Sequence, residues 1–433
     1  MKKKFFSALC LCAMIAGTAS LLPLCAAAAD ADKAIVSPGL SVLAAETDMA
    51  MAGIRGNKIT FSSEDFARAL NLSKVTSITI TKTPPSTDGE LLVGSTVVNK
   101  GQTITGSNIS LLSYSASSDS ITSSSFSFRA DGALYDMTCN LYLLDSLNRS
   151  PTLSMVPETS LNVSTHRNIT LYGNLPAYDP DGDDVIIEIV SYPKSGLLNL
   201  SDKKTGEYTY IPGNDYTGKD SFTYVARDKY GNYSASATVN LTVSKPSTSV
   251  VYSDMTDSPS YNAALTMTEA GIMSGTQVGN TCCFYPQQRV SRAEFVVMAM
   301  NSLGISSVNN SDLSAFSDAD DIPGNMKGYI AAAYKLGYVN GTYVDEALCF
   351  RPNSEITRAE AAVIVSRMIN SATPTVTPVF NDTADIPTWA VSAVNSLNFM
   401  GILDADNGNI SANAALTRAD TAEILSAVMQ ITK

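Results

Sequence analysis

Three arginines in the C-terminal half carry the clearest chemistry in this chain. Arg292, Arg358 and Arg418 sit in matching settings: Val290-Ser291-Arg292-Ala293-Glu294, Ile356-Thr357-Arg358-Ala359-Glu360 and Leu416-Thr417-Arg418-Ala419-Asp420. In each, Ser or Thr stands three residues before Glu or Asp. Apolar residues at helical spacing follow, such as Ala361, Ala362, Ile364, Val365, Met368 and Ile369. That pairing is a capping box, so each copy predicts a helix start. It puts the arginine at the first helical position, on the outside of the turn, beside the positive end of the helix dipole. The chemistry on offer is recognition of an anion by a planar fork of donors. One such box alone reads as a capped helix with a solvated arginine. Three of them, each inside a longer repeat, argue for a shared function.

A second constellation is acidic. Asp179, Asp181, Asp183 and Asp228 offer hard oxygen ligands to calcium. The spacing is not that of an EF-hand, because Val190 stands where the bidentate Glu belongs. A solvated Pro-Asp-Gly turn is the alternative. Any calcium held there would be structural. Catalytic groups are scarce. The single histidine, His166, is expected on the surface or on an edge strand, and it has no second His to complete an H-E-x-x-H zinc site. Neither a G-x-S-x-G elbow nor a phosphate-binding loop occurs. A glycosidase-type carboxylate pair needs only two acids, but the repeats leave no large domain to hold it. The expectation is that the chain is not an enzyme.

The arginine boxes belong to a longer unit. Upstream of each comes an aromatic-x-Asp: Tyr252-Ser253-Asp254, Phe316-Ser317-Asp318 and Phe380-Asn381-Asp382. A short amphipathic stretch ends at Gly271, Gly337 or Gly401. Two copies continue to Gly275 or Gly341 and to Phe284-x-Pro286 or Phe350-x-Pro352. This order of motifs over about 252–433 resembles the S-layer homology (SLH) repeat of bacterial surface proteins, three in tandem (about 252–312, 313–376 and 377–433). The resemblance implies a pseudo-threefold α-helical bundle. It also implies non-covalent binding to a peptidoglycan-linked secondary cell wall polysaccharide that often carries acidic groups. The implied glycan-binding residues are Asp254, Arg292, Asp318, Arg358, Asp382, Trp389 and Arg418. Trp389 survives once; Pro259 and Asn325 hold the equivalent positions. The third repeat has Ala405 in place of the second Gly and lacks Phe-x-Pro.

At the start of the chain, Lys2-Lys3-Lys4 precede an apolar run to Leu24 and small residues Ala26 to Ala29. This reads as a secretory signal over 1–29. The chain has a formal net charge of −12, and losing the leader makes it more acidic still. An acidic chain gains nothing from counterion release, so nucleic acid is excluded as a partner. An anionic glycan must then be held by local arginines. Cys139, Cys282, Cys283 and Cys349 remain after the leader; secretion permits disulfides, and Cys283 and Cys349 occupy matching repeat positions. The ending Gln430-Ile431-Thr432-Lys433 has no apolar tail, so no membrane or sortase anchor is expected.

Between leader and repeats the composition turns to Ser, Thr, Val and Tyr. Residues 30–54 show no pattern. Alternation in Ser221 to Ala226 and Ala237 to Val243, with frequent turn residues, predicts two antiparallel β-sandwiches, 55–147 and 150–244, joined to the bundle by a linker at 245–251. The second resembles the cadherin-like or Ig-like modules of bacterial surface proteins. The residues that carry this are Asp179-Pro180-Asp181-Gly182-Asp183, Pro193-x-x-Gly196, Tyr208-x-Tyr210-x-Pro212, Gly218-x-Asp220-Ser221-Phe222 and Asp228-x-x-Gly231. The fold class expected is therefore multidomain, β then α. The function expected is that of a secreted protein held on the bacterial cell wall by its SLH repeats, displaying its sandwiches outward, with other surface proteins as further partners. A lattice-forming S-layer subunit, an adhesin and a wall-glycan hydrolase are the rivals.

Overall fold

The computed structural model describes residues 48–432, apart from 71, 154–159, 310–311, 374–377 and 379. The expected leader lies outside the described residues. The chain is β-rich in its first two regions and helical in its third.

The first region contains β1 (Asp48–Ile54), β2 (Ile59–Thr60), α1 (Ser63–Ala69), β3 (Ser77–Lys82), β4 (Gly89–Val93), β5 (Thr96–Val97), β6 (Thr103–Thr105), β7 (Leu112–Ala116), β8 (Ser123–Ala130) and β9 (Met137–Leu144). One sheet runs β1-β9-β8-β3-β6 and the other β2-β7-β4-β5. Period-two burial explains the strands: Met137, Cys139, Leu141 and Leu143 point inward, and the residues between them do not. The core is aromatic, with the Phe66 and Phe128 rings edge-to-face at 4.8 Å and Phe61 and Phe126 at 5.6 Å. Cys139 is buried in that core, and the four cysteines among the described residues are free. β1 starts inside the stretch that shows no pattern in the sequence. Its Met-Ala alternation has no β-branched residue before Ile54, so the local strand signal is weak. What makes it a strand is a parallel pairing with β9, from Asp48↔Thr138 to Ile54↔Leu144.

The second region contains β10 (Ser160–His166), β11 (Leu171–Asn174), β12 (Val185–Ser191), β13 (Gly196–Leu200), β14 (Glu207–Pro212), β15 (Gly218–Asp228) and β16 (Ala237–Ser244). A four-stranded sheet, β10-β16-β15-β12, and a three-stranded one, β11-β14-β13, contribute to one core. The alternation read from the sequence is the observed burial: Phe222, Tyr224 and Ala226 face in, as do Val239, Leu241 and Val243. Burial raises the Tyr210 and Tyr224 phenols. Their hydroxyls donate to Asp220 Oδ2 at 3.1 Å and to the Pro176 carbonyl at 3.3 Å, as buried hydroxyls must.

The third region contains α2 (Tyr261–Glu269), β17 (Thr276–Val278), β18 (Thr281–Cys283), α3 (Arg292–Ser302), α4 (Gly324–Lys335), β19 (Thr342–Val344), β20 (Ala347–Cys349), α5 (Arg358–Ile369), α6 (Val391–Phe399) and α7 (Arg418–Ile431). All three capping boxes form, at Ser291, Thr357 and Thr417. A single core runs from Tyr252 to Val428. Its centre is a ring of backbone hydrogen bonds. Val290 N donates to Leu416 O at 3.0 Å, Leu416 N to Ile356 O at 2.8 Å, and Ile356 N to Val290 O at 3.1 Å. All three side chains are buried. The third repeat therefore returns to the first.

Candidate functional site

The three arginines open α3, α5 and α7, but they do not stand at free helix corners. The first amides of a helix have no partner within it. Here a neighbouring repeat takes the amides of the arginine and of the following alanine. Arg292 N and Ala293 N donate to Ser354 O and Pro352 O, Arg358 N and Ala359 N to Ala414 O and Ala412 O, and Arg418 N and Ala419 N to Gln288 O and Pro286 O. The third amide goes to the capping hydroxyl. The sequence puts each arginine outside the first turn beside the positive helix end; in the structure that end is covered by a neighbouring repeat. The donors are consumed in joining repeats.

Two of the guanidinium groups are consumed as well. Arg418 donates from Nε to Phe284 O (2.8 Å) and from Nη2 to Ser274 O (2.7 Å), with its charge 4.6 Å over the Phe284 ring. Arg358 donates from Nε to Ile410 O (2.9 Å) and from Nη2 to Asp404 O (2.6 Å). Arg292 departs from the pattern. It lies 5.4 Å over Phe350 and its Nη1 is 3.4 Å from Glu360 Oε1, but its side chain forms no hydrogen bond to a carbonyl among the described residues. Its side chain is 11% exposed. Burial pulls its guanidinium below the ordinary arginine value; Glu360 opposes this, while Arg351 and Arg367 add to it as like charges. The corner between the first and second repeats is thus locally cationic in an acidic chain.

The aspartates play one role three times. Asp254 accepts from Phe284 N and Tyr285 N, Asp318 from Phe350 N and Arg351 N, and Asp382 from Ile410 N and Ser411 N, all at 2.7 to 2.9 Å. The second residue of each pair has a positive φ, 57°, 63° and 51°. A left-handed non-glycine residue is unfavourable, and the two charge-assisted bonds hold it there. Ile410-Ser411-Ala412 therefore does in the third repeat what Phe-x-Pro does in the others. Trp389 is 59% exposed just ahead of α6. The partners Glu360 and Phe350 were missed in the sequence reading, although Glu360 is the acid of the next capping box.

The acidic cluster is assembled. Carboxylate oxygens of Asp179, Asp181 and Asp183 lie within 4.8 Å of one another. Asp179 is buried; its Oδ1 accepts from Asp181 N (2.8 Å), and its Oδ2 is buried with no hydrogen-bond partner. Burial raises its carboxyl, and Asp183 and Asp228 add to the effect. An orphaned buried carboxylate oxygen beside two more carboxylates fits a hard cation. Arg149 already contacts Asp181 at 2.7 Å and Lys229 contacts Asp183 at 2.8 Å, so a metal would compete with two side-chain cations. Asp228 is not part of that cluster; it accepts from Tyr230 N, Asn232 N and Asn148 Nδ2.

Comparison with known proteins agrees with both resemblances. The bacterial cadherin-like domain family matches residues 148–245, and the S-layer homology domain family matches 251–296 and 315–362. The chain carries a cadherin-like module and SLH domains. These place it at the bacterial cell surface, on the cell wall. It is similar to the surface-layer 125 kDa protein of Lysinibacillus sphaericus, 29% identical over 39% of this chain and 14% of that one. It is also similar to the exoglucanase XynX of Acetivibrio thermocellus, 29% identical over 34% of this chain and 13% of that one. The chain thus spans a small part of these relatives. Among solved structures, human CDH23 EC21-23 aligns at 14% identity over 46% of this chain and 72% of that one, with a TM-score of 0.21. No helix among the described residues is long and apolar enough to cross a membrane.

Proposed function

We propose that this wall-anchored surface protein holds a secondary cell wall polysaccharide through a pseudo-threefold SLH bundle. On this reading two β-sandwiches are displayed outward, and the chain has no catalytic role. The observation that supports it best is Arg292. Of three equivalent arginines it alone, among the described residues, keeps its Nε and Nη2 uncommitted, and it does so where Arg351 and Arg367 add positive charge. An acidic sugar substituent supplies the acceptor that Phe284 O and Ser274 O supply to Arg418. Asp318 positions the loop bearing Phe350 and Arg351, which forms one wall of this corner. Trp389 offers an exposed indole face to a sugar ring elsewhere on the same bundle. A net charge of −12 repels an anionic wall only weakly, because fields beyond about 8 Å are screened at physiological salt. Local geometry therefore decides.

The test is sedimentation of the full chain with wall sacculi, before and after the secondary polymer is stripped. Arg292→Ala is expected to lower affinity about tenfold or more, the loss of a charge-assisted pair. Arg292→Lys restores it in part, because an ammonium lacks the fork. If Arg292→Ala binds intact sacculi like the parent, the reading is lost.

For the Asp179 cluster we propose a structural calcium. It would displace Arg149 and Lys229 and stiffen the junction between the β regions, where Asn148 and Arg149 lie.

A further inference from the structure

The geometry points to His166 as a doubly protonated clasp that fastens the cadherin-like module to the first SLH repeat, so that their docking depends on pH. His166 ends β10, the edge strand of its sheet, which is one of the two places expected from the sequence. It is not on the surface: it is 5% exposed, inserted against α2. Its Nε2 lies 2.9 Å from Glu269 Oε2 and its Nδ1 lies 2.8 Å from Asn262 Oδ1.

Both neighbours are acceptors. A carboxylate accepts only. The Asn262 amide is oriented by its other end: Nδ2 donates to the Ser164 carbonyl at 3.0 Å, which leaves Oδ1 toward the ring. The Thr165 hydroxyl lies 3.2 Å from the same Oδ1. Neutral imidazole has one N–H, so it satisfies one of these contacts and turns a lone pair on the other. Imidazolium satisfies both. Burial raises the cost of the mismatch, because an unmet buried polar group is expensive.

The charges around the ring support a cation there. Glu269 is the one charged residue of α2, and its other oxygen accepts from the Ser247 amide in the linker. Burial pushes the Glu269 carboxyl up, but the bonds from His166 and Ser247 outweigh this and hold it below its usual value. On α7, which also packs on β10, Glu423 binds the Ser260 hydroxyl at 2.6 Å, and burial raises its carboxyl. Asp420 and Arg418 are occupied by the Thr417 cap and by Phe284 and Ser274. Arg167, next to His166, lies 3.7 Å from Asp215. Lys245 is the one cation of the linker.

The sign follows from linkage. The docked state needs the second ring proton and the undocked state does not. Docking is therefore favoured at low pH and weakens as the proton is lost. On the acid side, the Glu269 contribution is present above the ordinary carboxylate range and is lost as pH falls through its lowered value. The clasp is closed in the window between these two events.

The chain has one histidine, so its ring can be followed without assignment. Nitrogen NMR of the full chain reads the ring protonation, while limited proteolysis of the 245–251 linker reads docking. The expected result is that loss of the second ring proton and the onset of linker cleavage coincide as pH rises. Cleavage should increase by up to about tenfold per pH unit, the limit for one linked proton. Asn262→Asp gives Nδ1 a charged acceptor and should move both events to higher pH. His166→Gln should cleave fast at every pH, and the slope should vanish. The proposal is overturned if a neutral ring coexists with a protected linker, or if Asn262→Asp leaves the pH of cleavage unchanged.

Discussion

The corners at Arg418 and Arg292 share a capping box, a first-turn arginine and an aromatic ring, yet they use the guanidinium differently. At Arg418 two carbonyls of another repeat fill the fork. At Arg292 no carbonyl bond forms among the described residues and a glutamate sits at 3.4 Å. The comparison teaches that a recurring motif marks a shared scaffold duty, and that function is to be sought where one copy is excused from it. The amides of all three copies join repeats; one side chain is left over.

The comparison is easiest to break at Arg418. Arg418→Ala removes two charge-assisted hydrogen bonds and a cation–ring contact, and should destabilise the helical region by about 3 kcal/mol. Urea melts followed by circular dichroism measure this; a stable variant would mean the clamp is incidental. The acidic sites give a parallel contrast. Asp318 spends its oxygens on amides, whereas Asp179 keeps Oδ2 unmet. Calcium at ten times its dissociation constant should therefore stabilise the cadherin-like module by about 1.4 kcal/mol, and Asp181→Ala should abolish this. A melting curve indifferent to calcium leaves the turn reading alone. Thr357→Ala removes a cap and should cost about 1 kcal/mol, without lowering sacculus binding. Arg292→Ala breaks a cation–ring contact and the Glu360 pair but no carbonyl hydrogen bond, so it should cost less stability than Arg418→Ala while giving the largest loss of binding. Equal stability losses at Arg292 and Arg418 would erase the distinction between the corners.

Much of this arrangement is legible locally. The Ser/Thr and Glu/Asp pairs predict the starts of α3, α5 and α7, and alternation predicts β15 and β16. The cadherin-like and SLH stretches follow from the order of their motifs. What is not legible depends on partners far along the chain. The carbonyls that fill the Arg418 fork come from Phe284 and Ser274, and no local pattern announces them. The strand role of 48–54 is set by β9. His166 reads only as a surface or edge-strand residue, and its burial appears when Asn262 and Glu269 arrive from another region. Ile410-Ser411-Ala412 shows the reverse error: a motif missing by name is present as geometry, because Asp382 holds the same left-handed turn without Phe or Pro.

The closed ring of Val290, Ile356 and Leu416 has a mechanical consequence. An open array of repeats frays from its last member, one unit at a time. Here the last helix, α7, packs on the first helix, α2, and the last repeat donates its central amide to the second. A pull arriving through the preceding module enters at α2 and meets α7 at once. The load is then shared around a loop rather than passed to a free end, so the region resists tension as a hoop and should yield in one event.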